Sequence, residues 1–302
     1  MQEIAKGSLR KVYFMSYLGP VDEMIFLLRK VFNIDILYQY DQFAHLDQDT
    51  INSILREASK MSENVMAPLN RVSDKNPAVL ENGSVVCSPG FIEAYKEIAQ
   101  GGWIATSASS DFGGMGLPLC ITTCVNEMMN SACISLALNP LMTQGQIEAL
   151  DKHACQDIKE KYLPKLISGD WSGTMNLTEP QAGSDVGSLR TVAKELNDGT
   201  FEISGQKIYI SWGDHNLTEN ICHLVLARLP DGLPGSKGIS LFIVPKFLAD
   251  KNNNYTIKNG VNVISLEKKM GLNGSPTATI NYENAKGWIV GEPHQGLNAM
   301  FT

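Results

Sequence analysis

The sequence predicts an α+β chain: an N-terminal all-α helical domain followed by a middle domain built as a β-barrel or sandwich. Three observations carry this. Apolar residues recur at three- and four-residue steps through much of the first half. After Trp171 the segments become short, β-branched and punctuated by turns. The 302 residues are 43% apolar and 19% charged, the balance of a globular chain, and at roughly 150 residues per domain they make about two domains.

The helices come first. Over residues 49–66, Ile51, Ile54, Leu55, Ala58, Met61 and Val65 form one apolar face, which Asp49 or Thr50 caps and Pro68 is expected to stop. A second helix is expected over 90–100, where Phe91, Ala94, Tyr95 and Ile98 share a face and Gly101-Gly102 follow. A third covers about 119–129, a fourth about 143–152, and a short one 156–168 ends before Gly169. DFGGMGLP (111–118) demands a tight loop. In the second half, LRTVAKEL and TFEISGQKIYIS flank Asn197-Asp198-Gly199, a hairpin signal. ICHLVLARL, GISLFIVPKFL, YTIKNGVNVISLE and TATINYENAKGWIV complete the strands. GLNAMFT, at the end, reads as the opening of a further helix, so another domain is expected beyond residue 302.

Composition excludes several classes. A formal net charge of −7 with no basic stripe argues against nucleic acid as a partner. Cys120 and Cys124 make a CxxxC spacing, but no CxxC is present and the five histidines are scattered, so no disulfide scaffold and no metal site are expected. MQEIAKGSLRKVYFMSYLG has no signal-peptide core, and SACISLALNPLM (131–142) is too short to span a bilayer. Scattered thiols fit a reducing compartment, and a cytoplasmic location is expected.

Two stretches could carry chemistry. In MNLTEPQAGSDVGSLRT (175–191), Gly183 lets a ligand approach the backbone and Ser184 supplies a hydroxyl. Small-residue loops of this kind suit a pyrophosphate, because exposed N–H groups point at the anion. The pattern matches no Walker or Rossmann motif, and an ordinary strand-end turn also accounts for it. In GQKIYISWGDHN (205–216), Tyr209 and Ser211 alternate around Ile210 on a strand. A ring and a hydroxyl on one face suit a planar ligand, and equally a half-buried strand.

Together, TEPQAGSD and GQKIYIS at this separation resemble the acyl-CoA dehydrogenase family of flavoproteins. FIEAYKEIAQGGW, DFGGMGLP, KYLPKLISGDWSGTMNLTEPQAGSD, ENICHLVLARLP, GSKGISLFIVPK and GLNGSPTATINYENAKGWIVGE extend the likeness over almost the whole chain. They resemble the subgroup with an N-terminal extension that includes broad-range fatty acyl-CoA and methylmercaptopropionyl-CoA dehydrogenases. The resemblance implies an extension over 1–40, a helical domain over 41–172, a β domain over 173–288, and the start of a truncated C-terminal helical domain over 289–302.

It also implies FAD as cofactor. Met175 through Ser184 would line the flavin, with Leu177 and Thr178 bonding its pyrimidine edge. Gly183 and Ser184 would hold the pyrophosphate, and Ser184 would approach the acyl-CoA substrate. Tyr209 and Ile210 would pack on the ring system, with the Ser211 hydroxyl beside its redox edge. In relatives the glutamate base lies beyond the equivalent of residue 302, so no catalytic base is assigned. Glu179 reads as a carboxylate that orders its own turn, and His215 and His223 as loop and strand residues.

The implied function is α,β-dehydrogenation of acyl-CoA thioesters in fatty acid β-oxidation or related catabolism, with this chain inactive alone. An electron-transferring flavoprotein is the implied electron acceptor. The implied assembly is a homo-oligomer, or a partner chain supplying the C-terminal domain. The alternative reading is a non-catalytic acyl-CoA- or flavin-binding fragment or degraded paralogue.

Overall fold

The computed structural model describes residues 17–302. Most of the N-terminal stretch read for a signal peptide therefore lies outside the described residues. Helix α1 (Val21–Phe26) runs on through a π turn (Leu27–Val31) and two 3-10 turns (Ile34–Gln39 and Asp41–Phe43). Helix α2 (Gln48–Met61) buries Ile51, Leu55, Ala58 and Met61, the face the periodicity marks. Its cap is Asp47 rather than Asp49 or Thr50: the Asp47 carboxylate accepts the Thr50 N–H at 2.7 Å. Pro68 does not stop the helix. A π turn (Ser62–Met66) leads into α3 (Ala67–Lys75) with Pro68 in its first turn, where the missing N–H has no intrahelical partner to lose.

A hairpin absent from the sequence expectation follows. Strands β1 (Val79–Glu81) and β2 (Ser84–Val86) pair across Asn82 and Gly83, whose φ values of 50° and 76° match a type I′ turn. Helix α4 (Phe91–Gln100) lies where expected. The expected third and fourth helices are instead one element, α5 (Leu119–His153), broken at Cys133, whose φ of −156° and ψ of 86° leave the helical region. Asn139 and Pro140, which lie between the two expected helices, are buried inside its second half. Helix α6 (Gln156–Ser168) ends at Gly169, which takes the left-handed φ of 80° that a glycine supplies without strain.

The remaining strands are β3 (Trp171–Asn176), β4 (Val192–Glu195), β5 (Phe201–Ser211), β6 (Asn220–Arg228), β7 (Ile239–Pro245), β8 (Phe247–Ala249), β9 (Tyr255–Lys258), β10 (Val261–Leu266) and β11 (Thr277–Val290), and a short helix α7 (Gly296–Met300) follows. Pairing runs β6–β7–β11–β5–β4 and returns to β6 through the single bridge Val192–Arg228. The domain is thus a small closed barrel. Strand β3 adds in parallel to the same edge of β6 that β4 meets further along, and β10 adds to β11. Ile203, Ile210, Val225, Phe242, Val244 and Ile280 fill the barrel. Leu224, Leu226, Leu241 and Ile243 point outward from β6 and β7 and join the core of the helical domain. Among the described residues no helix is long and apolar enough to cross a membrane.

Helix α5 finishes the exposed edge of β3. The Thr143 hydroxyl oxygen accepts the Gly173 N–H at 3.0 Å. The Gln146 amide donates to the Cys222 carbonyl at 2.9 Å and to the Thr174 carbonyl at 3.4 Å. The Gly173 N–H, which an edge strand leaves unpaired, is thereby satisfied from the helical side, and Gln146 ties β3 and β6 together through one carbonyl of each.

Because Asp47 holds the first turn of α2 through one side-chain bond, Asp47→Ala is expected to cost about 1 kcal/mol. A urea titration monitored by circular dichroism checks this. An unchanged midpoint would show that the cap contributes nothing.

Candidate functional site

Strands β3 and β4 lie along one edge of β6, and residues 177–191 leave the sheet between them. Two links tie this excursion to β5. The Ile208 N–H donates to the Thr178 carbonyl at 2.9 Å. The Lys207 ammonium donates to the Leu177 carbonyl at 2.9 Å. The two stretches singled out in the sequence are therefore one continuous wall. Within the loop, Glu179 and Ala182 exchange backbone bonds of 2.9 and 3.0 Å, closing the turn over Pro180 and Gln181.

Glu179 is the loop's anchor. Its carboxylate is 3% exposed and accepts from Lys207 Nζ at 2.8 Å, the Thr191 hydroxyl at 2.6 Å, the Thr191 N–H at 3.0 Å, the Arg190 N–H at 2.7 Å and the Gln181 amide at 2.7 Å. Burial by itself would raise its pKa, but the Lys207 charge and this ring of donors outweigh it and hold the carboxyl down at about 2. Burial pushes the Lys207 ammonium down from its usual value, and Glu179 opposes that shift. Arg228 secures the far end of the loop, donating to the Leu189 carbonyl at 2.9 Å, the Gly235 carbonyl at 2.9 Å, the Leu233 carbonyl at 3.1 Å, and the Gly187 carbonyl. Residue patterns mark neither Lys207 nor Arg228 as part of the site. Their partners are backbone carbonyls and a distant carboxylate, which spacing does not show.

The expected site residues fall into three groups. Gly183 and Ser184 are exposed at the loop's turn, and Thr178 and Leu177 are half-buried at its base. A Cβ at Gly183 would meet only the Thr178 methyl, at 3.9 Å, so the space over this glycine is open. Met175 is half-buried beneath α5, with its sulfur 3.2 Å from where a Cβ on Gly145 would lie. Tyr209 is 61% exposed and Ser211 half-buried.

Ile210 differs from the expectation. Its side chain is 2% exposed and fills the barrel, so it can offer only backbone to the wall. Phe201 and Ile203 face the barrel at odd positions, and one extra residue further along β5 shifts the phase so that Ile210 does too. Between the pairs Lys207–Ile280 and Ile210–Ala278 an extra residue is inserted in β5, and Tyr209 there takes a φ of 59°. For a non-glycine this left-handed geometry costs roughly 1–2 kcal/mol. The bulge turns the ring out of the sheet and into solvent.

His215 and His223 lie in a loop and in β6, each bonded to a hydroxyl of β3. His215 accepts from the Leu217 N–H at 3.2 Å and meets the Ser172 hydroxyl at 2.7 Å. His223 meets the Thr174 hydroxyl at 2.7 Å. Burial, then the Lys246 charge, pushes both pKa values down to about 3, so both rings are neutral at physiological pH. Among the described residues no group of three or more His, Cys, Asp or Glu is placed to hold a metal.

The depressed Glu179 pKa stabilises the fold above the carboxylate's ordinary value of 4.5, and that contribution is lost as pH falls towards about 2. Unfolding free energy in urea is expected to fall between pH 5 and pH 2.5, with a shallower fall in Glu179→Gln. Equal slopes would show that this carboxylate is not held ionised by its neighbours.

Comparison with known proteins bears on the family and the fold. The family descriptions "Acyl-CoA dehydrogenase, N-terminal domain" and "Acyl-CoA dehydrogenase, middle domain" match residues 53–170 and 174–285. The chain is 42% identical over 287 residues to 3-methylmercaptopropionyl-CoA dehydrogenase of Ruegeria pomeroyi, covering 95% of this chain and 49% of that protein. It is 35% identical over 298 residues to a broad-specificity linear acyl-CoA dehydrogenase of Mycobacterium tuberculosis, covering 94% of this chain and 48% of that protein. The chain thus spans about half the length of these curated relatives. Its fold matches butyryl-CoA dehydrogenase of Megasphaera elsdenii with a TM-score of 0.68 at 24% identity, over 84% of this chain and 61% of that one. It also matches an acyl-CoA dehydrogenase of Bacillus anthracis complexed with FAD, with a TM-score of 0.68 at 22% identity, over 85% of this chain and 40% of that one. From these matches and the helical-then-barrel architecture, the chain belongs to the acyl-CoA dehydrogenase family, of which it carries the N-terminal and middle domains.

Proposed function

We propose that this chain supplies the flavin-facing wall of an FAD-dependent dehydrogenase that removes the α and β hydrogens of acyl-CoA thioesters. One observation carries the reading: the bond from the Ile208 N–H to the Thr178 carbonyl sets the turn-forming loop beside the strand that bears Tyr209 and Ser211. The residues present fit FAD. The space over Gly183 is open, and the exposed amides of Gly183 and Ser184 have no protein acceptor among the described residues, as a pyrophosphate cradle requires. Tyr209 presents an aromatic face that the bulge holds outside the sheet.

When bound, FAD would supply the acceptor for the hydride leaving the β carbon. The chain's own residues would bind and orient it. Thr178 would bond the pyrimidine edge through its N–H and hydroxyl, Leu177 would lie alongside, and Met175 would pack behind. Gly183 and Ser184 would hold the phosphates, and Ser184 would also reach the CoA side. The Tyr209 ring and the backbone at Ile210 would flank the ring system, and the Ser211 hydroxyl would donate to its redox edge. Glu179 is excluded as the base that takes the α-proton: it is buried, saturated with donors and held ionised with a pKa of about 2. An electron-transferring flavoprotein would then accept the electrons.

The test is the protein that carries this chain, purified under air and then mixed anaerobically with a saturated acyl-CoA. Flavin absorbance that bleaches on addition supports the reading. A colourless protein that still binds acyl-CoA would sink it in favour of a binding module. Gly183→Val is expected to abolish FAD uptake while leaving the unfolding midpoint in place, since its side chain enters open space. Ser211→Ala removes one donor, worth about 0.5–1.5 kcal/mol, and so should weaken flavin binding or slow its reduction by up to about tenfold. Full FAD content in the first variant, or unchanged binding and reduction in the second, would contradict the placement of these residues.

A further inference from the structure

The buried pair beneath the loop has a geometric effect that its charge alone does not describe. Lys207 is fully buried, yet its ammonium does not bond Glu179 alone: the same nitrogen donates to the Leu177 carbonyl at 2.9 Å. A trans peptide is planar, and its C=O and N–H point in opposite directions. Drawing the Leu177 carbonyl inward therefore turns the N–H of Thr178 outward, towards the open side of the wall. That N–H has no protein acceptor among the described residues. The next carbonyl, of Thr178, is fixed in turn by the Ile208 N–H at 2.9 Å. Two consecutive peptide planes are thus set by β5, one through a strand amide and one through a lysine side chain.

We propose that Lys207 is a positioning residue, aimed by Glu179, whose grip on the Leu177 carbonyl presents the Thr178 N–H as the donor to the flavin's pyrimidine edge. This rests on the flavin reading above and adds to it a residue that meets no ligand atom. Glu179 fixes where the ammonium sits, since its own position is set by Arg190, Thr191 and Gln181. No other side chain among the described residues donates to the Leu177 carbonyl. An apolar side chain at 207 would fill the same volume and leave that peptide free to rotate.

The experiment compares the wild-type chain with Lys207→Met and with the double variant Lys207→Met/Glu179→Gln. The double variant leaves no unpaired buried charge and so guards against simple unfolding. Near-ultraviolet circular dichroism and a urea midpoint establish that each variant is folded. Calorimetric titration with riboflavin, which reads the ring contacts, is set beside titration with ADP, which reads the phosphate contacts. In a folded variant, riboflavin affinity is expected to fall about tenfold, equivalent to about 1.4 kcal/mol, while ADP affinity stays within about twofold. Riboflavin affinity equal to the wild type's overturns the inference. So does an equal fall for both ligands, which would mean that the pair merely stiffens the loop. A wild-type chain that binds neither ligand overturns the flavin reading and this inference together, whereas the other two failures leave the flavin reading standing.

Discussion

The contact between Glu179 and Lys207 is the constraint on which the rest of the wall depends. Taking two ions out of water costs several kcal/mol each, and apolar residues of the same volume would often be as stable. Such a pair is therefore weak as a source of stability. What it supplies here is direction. Five donors converge on one carboxylate, and the ammonium reaches past it to a carbonyl of β3's continuation. An apolar plug would fill the gap without fixing any peptide plane. The excursion between β3 and β4 is long enough to wander, and this network, with Arg228 at its other end, gives it one shape.

The barrel prepares the same wall from the other side. Closure through the single Val192–Arg228 bridge leaves β3 and β4 in line on one edge of β6, and the loop emerges at the gap between them. The inserted residue in β5 then lifts Tyr209 out of the sheet directly after Ile208, the residue that binds the loop. A left-handed tyrosine is strained, and a regular strand would relax it. The surrounding pairs of β5 with β11 hold it in place. Strain and exposure at one aromatic residue, beside a loop with open amides, make this face the region most prepared for a flat ligand.

Much of this was legible in residue patterns, and the exceptions have physical causes. The helix faces around Leu55 and Tyr95, the turn at Asn197–Gly199 and the change to strands after Trp171 follow from periodicity and turn chemistry, which are local, but GISLFIVPKFL and YTIKNGVNVISLE each divide into two strands, β7 with β8 and β9 with β10. Pro68 misled because proline suits a helix start as well as a stop, and only the preceding π turn decides between them. The expected third and fourth helices are one element because burial carries the helix through Asn139 and Pro140, while the break falls at Cys133, a residue with no breaking propensity. The hairpin at Asn82-Gly83 carried a signal that could have been read, since Asn-Gly between short apolar runs marks a type I′ turn. Ile210 is buried because the bulge in β5 reverses the alternation that Phe201 and Ile203 begin, and spacing alone does not reveal a bulge. Lys207 and Arg228 were beyond reach, because their partners are distant in sequence or are backbone atoms that every residue possesses.

Helix α5 supplies the last hydrogen-bonding surface of the sheet through Thr143 and Gln146. The seam between the helical and barrel halves is consequently not a surface where two finished bodies meet. Cutting the polypeptide near residue 170 would strip a strand of its lateral partner and bare an adhesive ribbon. The two halves are thus obligate companions in folding, and a gene rearrangement that separated them would yield sticky pieces rather than transplantable modules.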